Sequence, residues 1–149
     1  MPNAKFFLIL IEKRENSLKD SIKLSAIFPV SAKRIFDAWL DGEQHSEFTG
    51  EKANVLPRTG TSFTAGGGYI SGTNLFIQPY GRIVQSWRSK DFPDRSPDSK
   101  LELLFEKVEK GTKLTLIHSK IPEGQLKKYE KGWKELYLKP MKKYFKNHK

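Results

Sequence analysis

The C-terminal segment of the chain, residues 125–147, has the pattern of one long amphipathic helix, and this feature most constrains the fold. Pro140 lies inside the pattern, where it removes one backbone hydrogen bond, so we expect a bend there and not a break. A helix with one apolar stripe must bury that stripe against another element. The stripe recurs near the α-helical period, at Leu126, Tyr129, Trp133, Leu136, Tyr137, Met141, Tyr144 and Phe145.

The preceding residues supply that element as a series of strands. Residues 21–28 alternate apolar and polar side chains, which predicts a half-buried strand that Pro29 ends. The stretch YISGTNLFIQPYGRIVQSWR, residues 69–88, contains two such runs joined by a turn at residues 78–81, and it predicts a hairpin in which Tyr69, Leu75 and Ile77 share a face. Further strands are predicted at residues 53–56, 61–65, 100–108 and 112–119.

Two short helices are predicted between the first strand and the second. Ser31 is a suitable N-cap for a helix over residues 32–40. Residues 44–48 predict a second helix, which Thr49 and Gly50 end. Three consecutive glycines, residues 66–68, tolerate positive φ angles and predict the tip of another hairpin.

This order of elements predicts an α+β fold. Consecutive strands with short turns form an antiparallel sheet. We expect a curved antiparallel sheet of six to seven strands wrapped on one long C-terminal helix, with two short helices after the first strand. A length of 149 residues fits a single domain, which we place at residues 21–147, after an N-terminal extension over residues 1–20.

The N-terminal extension carries one apolar run, Phe6–Ile11. It is too short to span a bilayer or to be a signal peptide, so we expect no membrane insertion. An exposed run of this kind pairs readily with other strands, so we expect an extra strand, a docked extension or a homodimer through it. The chain has no cysteine, which fits a reducing compartment and predicts a cytoplasmic location.

The net charge of +10 raises the question of a nucleic-acid or acidic partner. Residues 123–149 hold nine Lys and three Glu, so six of the ten excess positive charges lie there. The lysines fall on the polar side of the predicted helix, and no exposed strand interleaves aromatic with basic residues. We therefore interpret the charge as a solvated helix face and predict no nucleic-acid partner.

Candidates for catalysis are few. The three histidines are His45, beside Glu43 and Glu47, then His118, on the inward side of the last strand, and His148 in the Lys-rich tail. A His–Glu pair could bind zinc or act as acid and base. The sequence lacks HxxxH, HExxH and GxSxG, and its glycine triplet lacks the Lys of a phosphate loop. We predict no catalytic residue, no metal and no cofactor, with His45 on the helix surface or in a packing contact and His118 as a core or cavity-rim residue.

Six blocks of the chain, taken in order, carry a family resemblance. They are FPVSAKRIFDAW, HSEFTG, YISGTNLFIQPYGRIVQSWR, the FPD at residues 92–94, LTLIHSKIPEG and GWKELYLKPMKKYF. The chain from about Ser21 to Phe145 resembles the C-terminal domain of the activator of the heat-shock-protein-90 ATPase. That family lies within the START-like (SRPBCC) helix-grip superfamily, which includes the birch-pollen allergen. The larger activator has a separate N-terminal chaperone-binding domain, and only its C-terminal domain is matched.

We predict a non-catalytic binding domain whose cavity, between sheet and C-terminal helix, takes a small apolar or amphipathic ligand. We expect Trp87 and Trp133 to be the main residues that line this cavity, because a Trp is rarely fully buried and its N–H needs a partner. A filled core with a co-chaperone-like or stress-related protein-binding surface is the alternative that the resemblance implies, and an enzyme of the cyclase or hydrolase type is a third. The candidate cavity residues are Phe28, Phe36, Trp39, Phe48, Phe63, Tyr69, Leu75, Trp87, Phe105, Leu116, His118, Trp133, Tyr137 and Met141.

Overall fold

The computed structural model of the protein describes residues 20–149. The predicted run at residues 6–11 lies outside this range, so the seventh strand and the homodimer through that run stay predictions. The C-terminal helix has three successive segments: α3 (Leu126–Gly132), a π-helical segment (Trp133–Leu138) and α4 (Lys139–Asn147). The preceding elements are β1 (Ile22–Phe28), α1 (Ala32–Trp39), α2 (Gly42–Thr49), β2 (Ser62–Ala65), β3 (Ile70–Gln78), β4 (Arg82–Ser89), β5 (Ser99–Val108) and β6 (Gly111–Ser119).

The described strands form one antiparallel sheet in the order β1-β6-β5-β4-β3-β2. Four hairpin connections run from β2 to β6, and β6 then pairs with β1, so that Ile22 lies opposite His118. Helices α1 and α2 carry the chain from β1, at one edge, to β2 at the other. The predicted fold class, a curved antiparallel sheet with a long C-terminal helix and two short helices after the first strand, is confirmed.

Local capping explains where the two short helices begin and end. The Ser31 hydroxyl accepts a hydrogen bond from the Arg34 amide at 3.2 Å, as predicted for the start of α1. At the start of α2, the Asp41 carboxylate accepts a hydrogen bond from the Gln44 amide at 2.9 Å. Gly50 ends α2 in the left-handed conformation, with φ of 79°, a geometry that glycine adopts at little cost.

The core lies between the sheet and the C-terminal helix. Alternate residues of β6, Leu114, Leu116 and His118, are fully buried, as their alternation predicted. The helix packs its aromatic residues against them and against β1, where the Phe28 and Phe145 rings meet edge to face with centroids 5.9 Å apart.

The C-terminal helix departs from the prediction one turn before Pro140. The π-helical segment ends just ahead of this proline, which sits in the first turn of α4, where its missing N–H is tolerated. The wider turn also changes which residues face the core: Leu136 is 66% exposed, whereas Leu138 is buried. The predicted inward position of Leu136 is therefore wrong, because a strict 3.6-residue period does not hold across this segment.

Two strand predictions also need correction. A β-bulge shifts the β3–β4 register between Asn74 and Phe76, so Asn74 turns inward and Leu75 is 51% exposed. Leu75 is therefore not a cavity residue, because the bulge interrupts the alternation that placed it there. The predicted strand at residues 53–56 is reduced to a single bridge between Asn54 and Thr64, and Pro57 follows it directly.

Candidate functional site

A pocket opens between the C-terminal helix and the tip of the β2–β3 hairpin. We call it the helix–hairpin pocket; its volume is about 340 Å³. That volume is at the lower end of the range of small-molecule sites, about 300–1,000 Å³. Its lining comes from the end of α2, the hairpin tip, β4 and one face of the helix, and comprises Thr49, Glu51, Gly66, Tyr69, Ile70, Trp87, Tyr129, Gly132, Trp133, Leu136 and Tyr137.

Only four of the predicted cavity residues lie at this pocket: Tyr69, Trp87, Trp133 and Tyr137. The space deeper between sheet and helix is filled. Phe105 is half-buried and packs on the Phe36 ring at 5.7 Å. The other predicted residues away from the pocket, apart from the exposed Leu75, are buried in the core: Phe28, Phe36, Trp39, Phe48, Phe63, Leu116, His118 and Met141.

Gly132 is the residue of the C-terminal helix that leaves room for the pocket. It has helical dihedral angles and no positive φ, so the backbone does not require glycine there. A glycine inside a helix costs about 1 kcal/mol relative to alanine. A Cβ atom at this position would meet no other atom within 4 Å. The absence of a side chain therefore keeps this part of the helix surface open.

The three tryptophans differ in what their indole N–H groups bind. The N–H of Trp39 donates to Gln85 Oε1 at 3.2 Å, and that of Trp133 donates to His118 Nδ1 at 3.0 Å. Trp87 is only 3% exposed, yet its N–H has no hydrogen-bond partner among the described residues. No fully buried side-chain nitrogen or oxygen in that part of the chain lacks a partner. The N–H of Trp87 therefore keeps access to solvent.

The hydrogen bonds of His118 fix its protonation. Its Nδ1 accepts from Trp133, and its Nε2 lies 2.7 Å from the Ser99 hydroxyl. That hydroxyl donates to the Trp87 carbonyl at 2.8 Å, so it accepts from Nε2–H. His118 is thus the neutral Nε2–H tautomer, and burial lowers its pKa to about 3. With both ring nitrogens occupied, it has no free atom for acid–base chemistry or for a metal.

His45 is also neutral, with the opposite tautomer. Its Nδ1–H donates to the Trp39 carbonyl at 2.8 Å, so Nε2 accepts from the Tyr137 hydroxyl at 2.9 Å. Burial lowers the pKa of His45 to about 4 and raises that of Tyr137. This arrangement holds the Tyr137 ring in place beside the pocket. Of the two predicted positions for His45, it fits the packing contact and not the helix surface, because the side chain is buried.

The rim of the pocket is held by a small polar cluster. The Tyr69 hydroxyl donates to Asp91 Oδ2 at 2.5 Å, and Lys128 Nζ pairs with the same oxygen. These two hydrogen bonds, with Lys128 as the larger cause, hold the pKa of the Asp91 carboxyl below its usual value. Gln125 adds a hydrogen bond from its side-chain amide to the Asp91 carbonyl at 2.9 Å. The cluster ties the hairpin to the start of the C-terminal helix.

Glu51 is the one charged residue in the lining. Its carboxylate forms no ion pair or hydrogen bond with any of the residues 20–149. The lining itself therefore carries one negative charge, while the ammonium of Lys128 lies over the rings of Tyr69 and Tyr129 at the rim. In the described part of the chain, no group of three or more acidic or histidine side chains is placed to hold a metal ion.

Sequence reasoning missed several lining residues. Tyr129 and Leu136 were assigned to the helix seam, and Ile70 to a strand, without a link to a pocket. Gly132 carried a usable signal, because a glycine inside a helical pattern needs a packing or functional reason. No feature of the sequence links Thr49 or Glu51 to a pocket. They lie at and just after the end of a short helix whose direction the sequence does not determine.

Comparisons with known proteins agree with the fold. A family model described as Activator of Hsp90 ATPase homolog 1-like protein matches residues 29–146. The Activator of 90 kDa heat shock protein ATPase homolog of Dictyostelium discoideum is 27% identical over 123 residues. This match covers 82% of our chain and 32% of that protein, so the chain spans about a third of the relative's length.

Solved structures show the same architecture. An HSP90 activator from Plasmodium falciparum superposes with a TM-score of 0.77 at 25% identity, covering 83% of this chain and 94% of that one. A protein from Mesorhizobium loti has a TM-score of 0.73 at 15% identity, covering 87% and 98% of the two chains, and supports the fold alone. Across residues 20–149, the structure contains no helix long and apolar enough to span a membrane.

Proposed function

This chain belongs to the family of Activator of Hsp90 ATPase homolog 1-like proteins, and from that premise we propose that it is a non-catalytic binding domain. Its site is the helix–hairpin pocket, and its ligand is a small apolar or amphipathic molecule. The supporting observation is the lining: Tyr69, Trp87, Tyr129, Trp133 and Tyr137 present aromatic surface, and one carboxylate is the sole charge. Apolar surface with few polar groups is typical of small-molecule sites.

The absence of catalysis is part of this proposal. The two buried histidines are neutral and have both ring nitrogens in hydrogen bonds within the protein. Neither can take or give a proton near neutral pH, because burial lowers the pKa of each well below 6.5. A cytoplasmic location is proposed with it, since a chain without cysteine suits a reducing compartment.

Intrinsic fluorescence tests the proposal, because Trp87 and Trp133 lie in the pocket lining. We would titrate the protein with oleate, cholesterol and quercetin, as representatives of fatty acids, sterols and flavonoids. A saturable change with at least one of them is expected. It should be lost in Trp87→Ala and Trp133→Ala proteins that stay folded by circular dichroism. A flat response to all three would contradict a small-molecule function for these classes.

The second candidate is a co-chaperone-like or stress-related module that binds a protein partner. The Dictyostelium relative and the Plasmodium structure are both described as activators of a 90 kDa heat shock protein, and this favours a chaperone as the partner. The test measures ATP hydrolysis by such a chaperone with and without this protein. Stimulation that survives changes in the pocket lining would favour this candidate over the small-molecule one.

A further inference from the structure

Nearly every polar hydrogen on the lining side chains is already used within the protein. The hydroxyls of Tyr69 and Tyr129 donate to Asp91 and Gln125. The Tyr137 hydroxyl donates to His45, and the Trp133 N–H to His118. The Thr49 hydroxyl donates to backbone carbonyls of His45 and Glu51. Among the described lining residues, the Trp87 N–H is the one side-chain donor left without a partner.

The Trp87 ring is nevertheless held firmly in position. The rings of His118, Tyr129, Phe92 and Trp133 pack around it, with centroids 4.6, 5.0, 5.8 and 5.8 Å away. A donor that is fixed, almost entirely buried and unpaired costs free energy unless water or a ligand accepts its hydrogen bond. No fully buried polar side-chain atom in residues 20–149 lacks a partner, so the Trp87 N–H keeps some access to solvent, and the pocket is the opening that Trp87 lines.

We propose that the indole N–H of Trp87 is the hydrogen-bond donor that the helix–hairpin pocket offers to its ligand, and that this ligand is a neutral apolar molecule carrying a carbonyl-type oxygen. The inference rests on the proposed small-molecule function and narrows its ligand class. The oxygen takes the place of water at the N–H, and the apolar body lies on the aromatic lining.

The charges around the pocket favour a neutral ligand over a carboxylate. No Lys, Arg or His belongs to the lining, and Glu51 is its single charged residue. Lys128 Nζ lies over the lining rings of Tyr69 and Tyr129, at 5.6 and 5.7 Å, but its charge is already paired with Asp91. A carboxylate ligand would lose its hydration, find the nearest cation already paired with Asp91, and approach the negative charge of Glu51. A ketone, ester or amide oxygen has no net charge, so the hydration that it loses costs less and Glu51 does not repel it.

Three probes of nearly one shape separate these possibilities. They are 2-acetylnaphthalene, with a carbonyl, 2-isopropenylnaphthalene, in which a CH₂ replaces that oxygen, and 2-naphthoate, with a carboxylate. Calorimetric titration is expected to show the ketone binding about five- to tenfold more tightly than the alkene, as one hydrogen bond allows. The carboxylate is expected to bind most weakly. Glu51→Gln should reduce the difference in affinity between the carboxylate and the ketone, because it removes the negative charge. The matched control Glu109→Gln, in the β5–β6 turn, should leave that difference unchanged.

Indole resonances give a readout that needs no variant at Trp87. In a ¹H–¹⁵N spectrum the three tryptophans give three indole signals. Relative to the alkene, the ketone should shift the Trp87 signal downfield and slow the exchange of its N–H with water. It should leave the water exchange of the Trp39 and Trp133 N–H groups unchanged, because these are already bonded. The alkene should fill the pocket without that downfield shift.

The outcomes separate this inference from the proposed function. If ketone and alkene bind equally and the Trp87 signal does not respond, the donor role is overturned while the pocket remains a ligand site. If the carboxylate binds more tightly than the ketone, the preference for a neutral ligand is overturned. If none of the three probes binds, the proposed small-molecule function fails, and this inference fails with it.

Discussion

His118 and His45 are both buried and neutral, but the hydrogen bonds around them fix opposite tautomers. We expect His118 to carry its proton on Nε2, because Trp133 donates to Nδ1. We expect His45 to carry its proton on Nδ1, because a backbone carbonyl accepts from it. Long-range ¹H–¹⁵N correlation spectra at pH 7 distinguish the two forms. The same tautomer at both sites would contradict the hydrogen-bond network described for the pocket.

The same two residues predict how stability depends on pH. Their pKa values of about 3 and about 4 lie below the unfolded value near 6.5, so on acidification the unfolded chain gains protons that the native protein does not. Stability is therefore lost as the pH falls below 6.5. Between pH 7 and pH 5 the free energy of unfolding should drop by about 4 kcal/mol for the pair, about 2 for each histidine.

Urea denaturation across this pH range measures the effect. The His118→Gln protein keeps a donor and an acceptor at this position but does not titrate, so it should lose about half of the pH slope whatever its starting stability. A free energy of unfolding that stays constant from pH 7 to pH 5 would show that the two rings are accessible to protons in the native state.

At the scale of elements, the π-helical segment of the C-terminal helix has a cause that can be seen in the sequence. An α-helix turns about 100° per residue, so apolar residues spaced strictly by four drift by about 40° at each step. The wider π turn takes up that drift and keeps the residues on one face. The spacing of four holds over five positions: Tyr129, Trp133, Tyr137, Met141 and Phe145.

The simple helical period predicts that Leu136 is buried and contributes to stability. The π-helical geometry predicts instead that Leu138 does so. Leu138→Ala should lower the free energy of unfolding by about 2–3 kcal/mol, because Leu138 is 9% exposed. Leu136→Ala, two residues away on the same segment, should change it by less than about 0.5 kcal/mol, because that side chain is largely in solvent. Urea denaturation of the two variants compares them directly. Equal losses, or a larger loss at Leu136, would contradict the π-helical register.

The elements that were predictable from the sequence are those with a strong local signal. Strand β6 follows strict alternation, and α1 has both an N-cap and a helical stripe, so their buried residues were assigned correctly. The bulge that exposes Leu75 has no such signal, because it depends on how β3 pairs with β4. A register shift of one residue reverses the two faces of a strand, so this single feature was enough to misplace a candidate site residue.

At the scale of the whole molecule, a cavity between sheet and helix was predicted, but the position of the pocket at the hairpin tip was not. Its lining joins the end of α2, a hairpin tip, β4 and the C-terminal helix, and only the packed structure brings these together. The size and the N–H of a Trp led to the prediction of Trp87 and Trp133 as cavity residues, and both lie in the lining of this pocket. The sequence could not show that the inner space around Trp39 and Phe48 is filled, because packing is a property of all the elements at once.

The central claim is that the helix–hairpin pocket binds a small molecule. A substitution at Gly132 that fills this pocket with a side chain tests the claim most directly. The Gly132→Leu protein should keep or raise its thermal midpoint, because leucine favours a helix by about 1 kcal/mol over glycine and its Cβ meets no atom within 4 Å. It should bind 2-acetylnaphthalene at least tenfold more weakly than the unmodified protein. The control, Lys131→Leu, adds the same side chain at the neighbouring exposed position and should bind normally. Undiminished binding by a folded Gly132→Leu protein would contradict the account.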